Sequence, residues 1–281
     1  MACLALVRAQ FWNAFERVIN WRPGAKIVAK IPGKHCADEA EFMERKRILI
    51  TGGTGALGSE IVRALSRSTP AFEVTANYHR DANRAEELHL ETNCDLFCAD
   101  VGDEAQVAQM FEKSSPLFAV IHAAGTAHDG LLLKQSRAMW NESLCINADA
   151  AFFIARAALQ EPKNGGLANG GRLIFLASRV GEQGRAGQSS YAAGKAATVA
   201  LMKCAAREGA MRKVAVNAVC PGFVLSDMNA SLSTPHLDQA RKSSITQQFG
   251  NASETAGLVQ WLLSESAASI SGQVFYCDNR L

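Results

Sequence analysis

The 281-residue chain is 48% hydrophobic and 20% charged, with a formal net charge of +2, the balance of an ordinary globular protein. That charge leaves no electrostatic footprint for nucleic acid or an anionic membrane, and no apolar run reaches the ~18–20 residues of a membrane span. Eight cysteines are dispersed, none in a CxxC pair; this predicts reduced thiols in a cytoplasmic protein and argues against a disulfide framework or a metal site.

The first 45 residues differ from the rest. Leu4, Val7, Phe11, Phe15 and Val18 recur at three- and four-residue steps opposite Arg8, Asn13, Arg17 and Asn20, the pattern of an amphipathic helix. A basic stretch broken by prolines and glycines, RPGAKIVAKIPGKH, follows it. Residues 1–45 therefore read as an N-terminal extension. It either packs on the main domain, docks a partner or membrane surface, or targets an organelle.

From residue 46 onward, short apolar runs alternate with helix-length segments. RILIT, FEVTANY, CDLFCA, LFAVIHAA, GRLIFLAS, KVAVNAVC and GQVFYC each read as a strand buried on both faces. Residues 56–67, 82–91, 103–114, 137–160, 189–210 and 252–264 read as the helices between them. This alternation predicts one α/β domain over 46–281, a doubly wound, seven-stranded parallel sheet flanked by helices.

The first strand runs into a glycine-rich turn and a helix start, RILITGGTGALGSEIV. Gly52, Gly55 and Gly58, with Thr54 and Leu57 between them, suit a pyrophosphate resting on backbone amides at a helix N-terminus. The second strand ends on Asn77, Tyr78, His79 and Arg80, with no acid before Asp81. A cation there suits a ribose 2′-phosphate, so NADP(H) is favoured over NAD(H). Asp100 and Val101 end the third strand where the adenine would lie. Ala123, Ala124 and Gly125 end the fourth, near the nicotinamide ribose.

In SSYAAGKAA, Tyr191 and Lys195 stand four positions apart, on one face of a helix and among small residues. A phenol and an ammonium side by side suggest acid–base chemistry more than packing.

TGGTGALG, HAAG, WNESLCIN, LASRVG with SSYAAGK, and VNAVCPGFVLSDM occur in this order. Through them residues 46 to about 276 resemble the short-chain dehydrogenases/reductases, and most of all the 3-oxoacyl-carrier-protein reductases among them. The resemblance implies a Rossmann fold and a catalytic tetrad of Asn147, Ser178, Tyr191 and Lys195. Tyr191 would donate the proton, Lys195 would lower the phenol's pKa and hold the nicotinamide ribose, Ser178 would orient the carbonyl oxygen, and Asn147 would hold a water behind Lys195. Pro221, Gly222 and Val224, with Ser226, would meet the nicotinamide carboxamide. Residues 225–248 resemble a mobile lid, and Arg212 and Lys213 would face an acidic carrier protein. The implied reaction is NADPH-dependent reduction of a carrier-bound 3-oxoacyl thioester by a homo-oligomer, a dimer or tetramer. The alternatives are another ketone, such as a polyketide intermediate, and a catalytically idle nucleotide-binding scaffold.

The chain also departs from the family pattern. Ala56 replaces the middle glycine of TGxxxGxG, giving TGxxGxxG, the form of extended members and polyketide-synthase ketoreductases, and no basic residue stands in that turn. His122 stands where NAAG has asparagine, and CDNRL replaces a glycine-rich C-terminal tail.

Overall fold

The computed structural model describes residues 46–69, 72–226 and 234–278; the helix expected within residues 1–45 lies outside them. The strands are β1 (Arg47–Thr51), β2 (Glu73–Tyr78), β3 (Asp95–Cys98), β4 (Leu117–His122), β5 (Leu167–Leu176), β6 (Ala215–Pro221) and β7 (Val274–Cys277). They form one sheet in the order β3-β2-β1-β4-β5-β6-β7. Every pairing is parallel, with Thr51 opposite His122 and His122 opposite Phe175.

The helices are α1 (Ala56–Ser66), α2 (Ala82–Thr92), α3 (Glu104–Ser114), α4 (Arg137–Leu144), α5 (Ala150–Ala158), α6 (Val180–Gln183), α7 (Ser189–Glu208), α8 (Thr234–Lys242) and α9 (Ala252–Leu263). Strand residues alternate between two cores, as the two-residue period requires. On one face Leu49, Val120, Leu173 and Phe175 pack with Met110 of α3, Ile154 of α5 and Met202 of α7. On the other, Ile48, Ile50, Ile121 and Ile174 pack with Ile61 and Leu65 of α1, Leu88 of α2 and Val259 of α9. Each large side chain buried this way contributes about 1.5–3 kcal/mol.

Two local expectations are corrected. β3 and β7 are only partly buried, because they are the sheet's edges and lack a neighbour on one side. The helix expected over 137–160 is interrupted by a π-helical turn, Cys145–Asp149, in which the Ala150 amide bonds the Cys145 carbonyl. A single π turn inside a helix rotates the residues after it and often marks a functional position. Here it carries Asn147.

Candidate active site

A cleft of about 570 Å³ opens along the carboxyl ends of β1, β4, β5 and β6. It spans the point where strand order reverses, between β1 and β4, the place where open α/β sheets bind ligands. A larger hollow of about 860 Å³ lies between α3 and α5 and gathers none of the residues singled out above. Among the described residues no cluster of His, Cys, Asp and Glu has the geometry of a metal site.

At one end the cleft wall is mostly backbone. A Cβ on Gly58 would stand 2.1 Å from the Gly52 carbonyl oxygen, so only glycine lets α1 start against the turn. Gly55 caps α1 without a side chain, and the first turn carries no acid. The helix N-terminus therefore faces the cleft with amides that no side chain satisfies. Asn77 is buried in this wall. Its Oδ1 accepts from the Gly52 amide (3.2 Å), and its Nδ2 donates to the carbonyls of Phe97 (3.2 Å) and Ala99 (3.0 Å). Asn77 thus ties the glycine turn to β3 while also lining the cleft. His79 Nε2 lies 3.8 Å from the Asp100 carboxylate, and Asp81 caps α2 by accepting from the Arg84 amide (3.0 Å). Arg80 is exposed and has no hydrogen bond or ion pair among the described residues.

The other end is built from polar side chains withdrawn from water. Lys195 is buried, and its Nζ donates to the Leu176 carbonyl (2.9 Å) and lies 5.8 Å from the centre of the Tyr191 ring. Burial pulls the ammonium's pKa down to about 8. The Tyr191 phenol is pushed up by burial, against the opposing hydrogen bond to Ser178. The net lowering of Tyr191 expected from Lys195 is not met in this structure, because desolvation dominates the phenol. Ser178 Oγ accepts from the Val180 amide (3.2 Å), and its hydroxyl hydrogen-bonds the Tyr191 phenol.

Asn147 does not line the cleft; it lies behind it, fully buried. Its Nδ2 donates to the carbonyls of Thr126 (2.7 Å) and Ser143 (2.9 Å), while its Oδ1 has no partner. A Cβ on Gly125 would stand 3.1 Å from that Oδ1 and 3.2 Å from Lys195 Nζ. Asn147 and Lys195 therefore flank Gly125 together. The π turn's carbonyl at Asn147 accepts from Thr198 Oγ1 on α7 (2.8 Å), and a Cβ on Gly194 would meet Asn147 Cβ at 2.6 Å. The small residues of SSYAAGK are thus what lets α7 press on the π turn. His122 is buried at the end of β4, its Nδ1 2.7 Å from Thr51 Oγ1. Burial and the Lys195 charge pull its pKa down to about 3, so the ring stays neutral.

All the residues assigned to the cofactor line this one cleft, as do Ser178 and Ser226. Sequence reasoning missed Arg185 and Gln188 in the same wall; the signal was a cation between Gly184 and Gly187, just before Tyr191. It also missed the function of CDNRL. Asp278, whose side chain is fully buried, takes a two-pronged ion pair from Arg179 (2.9 and 2.8 Å), the residue after Ser178. Arg212 lies just before β6, at the end of the strands opposite the cleft, with its Nη1 on the Leu167 carbonyl (2.9 Å). In the lid, α8 is described and residues 227–233 are not. No helix among the described residues is long and apolar enough to cross a membrane.

A glycine turn at a reversal point, with a phenol and an ammonium beyond it, defines a dinucleotide-dependent oxidoreductase. Comparison with known proteins narrows the class. Residues 54–279 match the family model described as Enoyl-(Acyl carrier protein) reductase. The chain is 32% identical over 247 residues to a 3-oxoacyl-[acyl-carrier-protein] reductase of Staphylococcus aureus, covering 83% of this chain and 96% of that protein. Among solved structures, BdcA in complex with NADPH superposes with a TM-score of 0.77 at 26% identity, covering 83% of this chain and 93% of BdcA. A Burkholderia cenocepacia short-chain dehydrogenase in complex with NADP gives 0.77 at 26% identity, covering 84% and 97%. The chain belongs to the short-chain dehydrogenase/reductase family and is an NAD(P)-dependent oxidoreductase acting on CH–OH or C=O groups.

Proposed function

We propose that the protein reduces a 3-oxoacyl thioester on an acyl carrier to the 3-hydroxyacyl thioester, with NADPH as the cofactor. The observation that carries this reading is the convergence of Ser178, Tyr191 and Lys195 in one cleft with an α1 N-terminus that has no side-chain cap. Such an N-terminus fits a pyrophosphate, since its amides and the helix dipole favour negative charge. Arg80 and His79 fit a 2′-phosphate beyond it, and the NADPH and NADP complexes of the structural relatives support the same cofactor. Asp81, the acid that follows them, is already engaged in capping α2.

When bound, NADPH supplies a hydride to a carbonyl carbon. The chain's own residues manage the oxygen and its proton. Ser178 donates a hydrogen bond to the carbonyl oxygen and stabilises the charge that develops there. Tyr191 gives that oxygen its proton; burial keeps the phenol protonated and ready to donate. Lys195 offsets the negative charge left on the phenolate, and the unpartnered Asn147 Oδ1 would hold a water behind Lys195 through which a proton from solvent is returned. The 32% identity to a 3-oxoacyl-[acyl-carrier-protein] reductase supports the thioester over other ketones.

The test is oxidation of NADPH by the purified chain with an acetoacetyl carrier protein, set against a panel of unrelated ketones. Faster turnover of an unrelated ketone would replace the substrate and keep the chemistry. No oxidation with any ketone would leave only the scaffold.

A further inference from the structure

The charged side chains that line the cleft are nearly all engaged within the protein. His79 faces Asp100, Asp81 caps α2, Glu142 lies 3.3 Å from His128, Asp129 accepts from Gln188 (2.9 Å), and Lys195 is on the Leu176 carbonyl. Among the described residues, two cations in the lining have no hydrogen bond or ion pair through their side chains: Arg80 at the nucleotide end and Arg185 at the chemical end. The first is accounted for by the 2′-phosphate. Nothing in the reaction as derived uses the second.

Arg185 is exposed but its position is held. It lies in the short segment between α6 and α7, where its carbonyl accepts from the Gln188 amide (3.0 Å). The next turn is closed by the Gly130 amide on the Gly187 carbonyl (2.8 Å), and Gln188 reaches across to Asp129. These bonds keep Arg185 on the same wall as Ser178 and Tyr191. A guanidinium carries its charge at every working pH and binds carboxylate and phosphate oxygens in a fork.

We propose that Arg185 is a specificity-determining residue that binds an anionic oxygen group of the substrate, a carboxylate or a phosphate, while the ketone lies at Tyr191. The proposal deepens the ketoreductase reading and rests on it. Asp129, the acid facing the same wall, sets the opposite charge and gives the control.

The experiment measures NADPH-dependent reduction of four compounds sharing one keto group: acetoacetyl-CoA, the N-acetylcysteamine thioester of acetoacetate, acetoacetate itself and ethyl acetoacetate. The full chain is compared with its Arg185→Ala, Arg185→Lys and Asp129→Asn variants. Arg185→Ala should lower kcat/KM for an anionic compound by about 10–100-fold, mainly through KM, the effect of losing one charge-assisted hydrogen-bonding pair. It should leave the two neutral compounds within about twofold. Arg185→Lys should recover part of the loss, and Asp129→Asn should not reproduce it. A loss confined to acetoacetyl-CoA assigns the group to a phosphate on the carrier arm, and one confined to acetoacetate assigns it to a carboxylate. Equal change across all four compounds, or none, overturns the proposal. Should both thioesters stand idle while acid and ester are reduced, the thioester reading fails, and the acid-to-ester ratio still decides Arg185. Reduction of none of the four removes both.

Discussion

At its nucleotide end the cleft presents backbone amides and surface cations, with Gly52, Gly55 and Gly58 giving way to α1 and His79 and Arg80 exposed beyond. At its chemical end it presents side chains that the fold has taken out of water, with Lys195, Asn147 and His122 all buried. The first end offers a charged ligand backbone amides and exposed cations. The second changes the ionisation of its groups, raising Tyr191 and pulling Lys195 down to about 8. Binding and chemistry are thereby separated along one groove, and substitutions should separate them too.

The largest effect should follow Tyr191→Phe, which removes the hydroxyl and leaves the ring. Turnover should fall by at least ~100-fold, while the NADPH dissociation constant, measured by fluorescence titration, stays within about twofold. Near-normal turnover would end the assignment of Tyr191 as proton donor. Arg80→Ala should do the reverse. It should weaken NADPH by about 1.5–3 kcal/mol, the value of hydrogen bonds to a charged group, and leave NADH nearly unchanged. Equal use of both cofactors by the parent chain would break this side of the comparison.

His122 sharpens it through pH. Unfolded, the ring takes up a proton below about pH 6.5; folded, it resists until about 3. Between those values the unfolded chain binds more protons, so stability drops as pH falls, by up to about 1.4 kcal/mol per pH unit from this residue. Urea unfolding at pH 7, 6 and 5 should show a shallower drop in His122→Asn than in the parent. Identical slopes would mean that the ring is not held neutral. The smallest effect on the cleft should come from a chain beginning at Glu44, which we expect to keep cofactor affinity and turnover within about twofold. The stripe from Leu4 to Val18 is too apolar to leave in water. Its loss should therefore lower the melting temperature or the mass in solution. Lost turnover with cofactor binding intact would place the extension at the active site.

The nucleotide end was the more legible of the two in the sequence. Glycine spacing and the residues after β2 are local signals, because turn geometry and strand ends depend on near neighbours. Asn77 shows the limit of that reading. Its position at the end of β2 was plain, yet its side chain turned out to brace Gly52 and β3, a matter of which strand lies alongside. At the chemical end the four-residue step from Tyr191 to Lys195 gave the shared face, and of the tetrad that the family motifs implied Ser178, Tyr191 and Lys195 line the cleft while Asn147 lies behind it. The π turn at Asn147 was not readable, since an insertion in helix winding leaves the hydrophobic period nearly intact over so short a span.

The sequence by itself determined the alternation of strands and helices, the parallel sheet and the turn that opens α1, all of which follow from periodicity and from glycine's missing Cβ. Only the tertiary structure decided the direction of each pKa, because desolvation depends on what covers a group and not on its neighbours in the chain. It alone decided that Asp278 grips Arg179 across 99 positions. It alone decided that Arg185 shares a wall with Tyr191 while the other charges of the cleft, Arg80 apart, are engaged, since pairing between side chains is settled by which strand ends the sheet brings side by side.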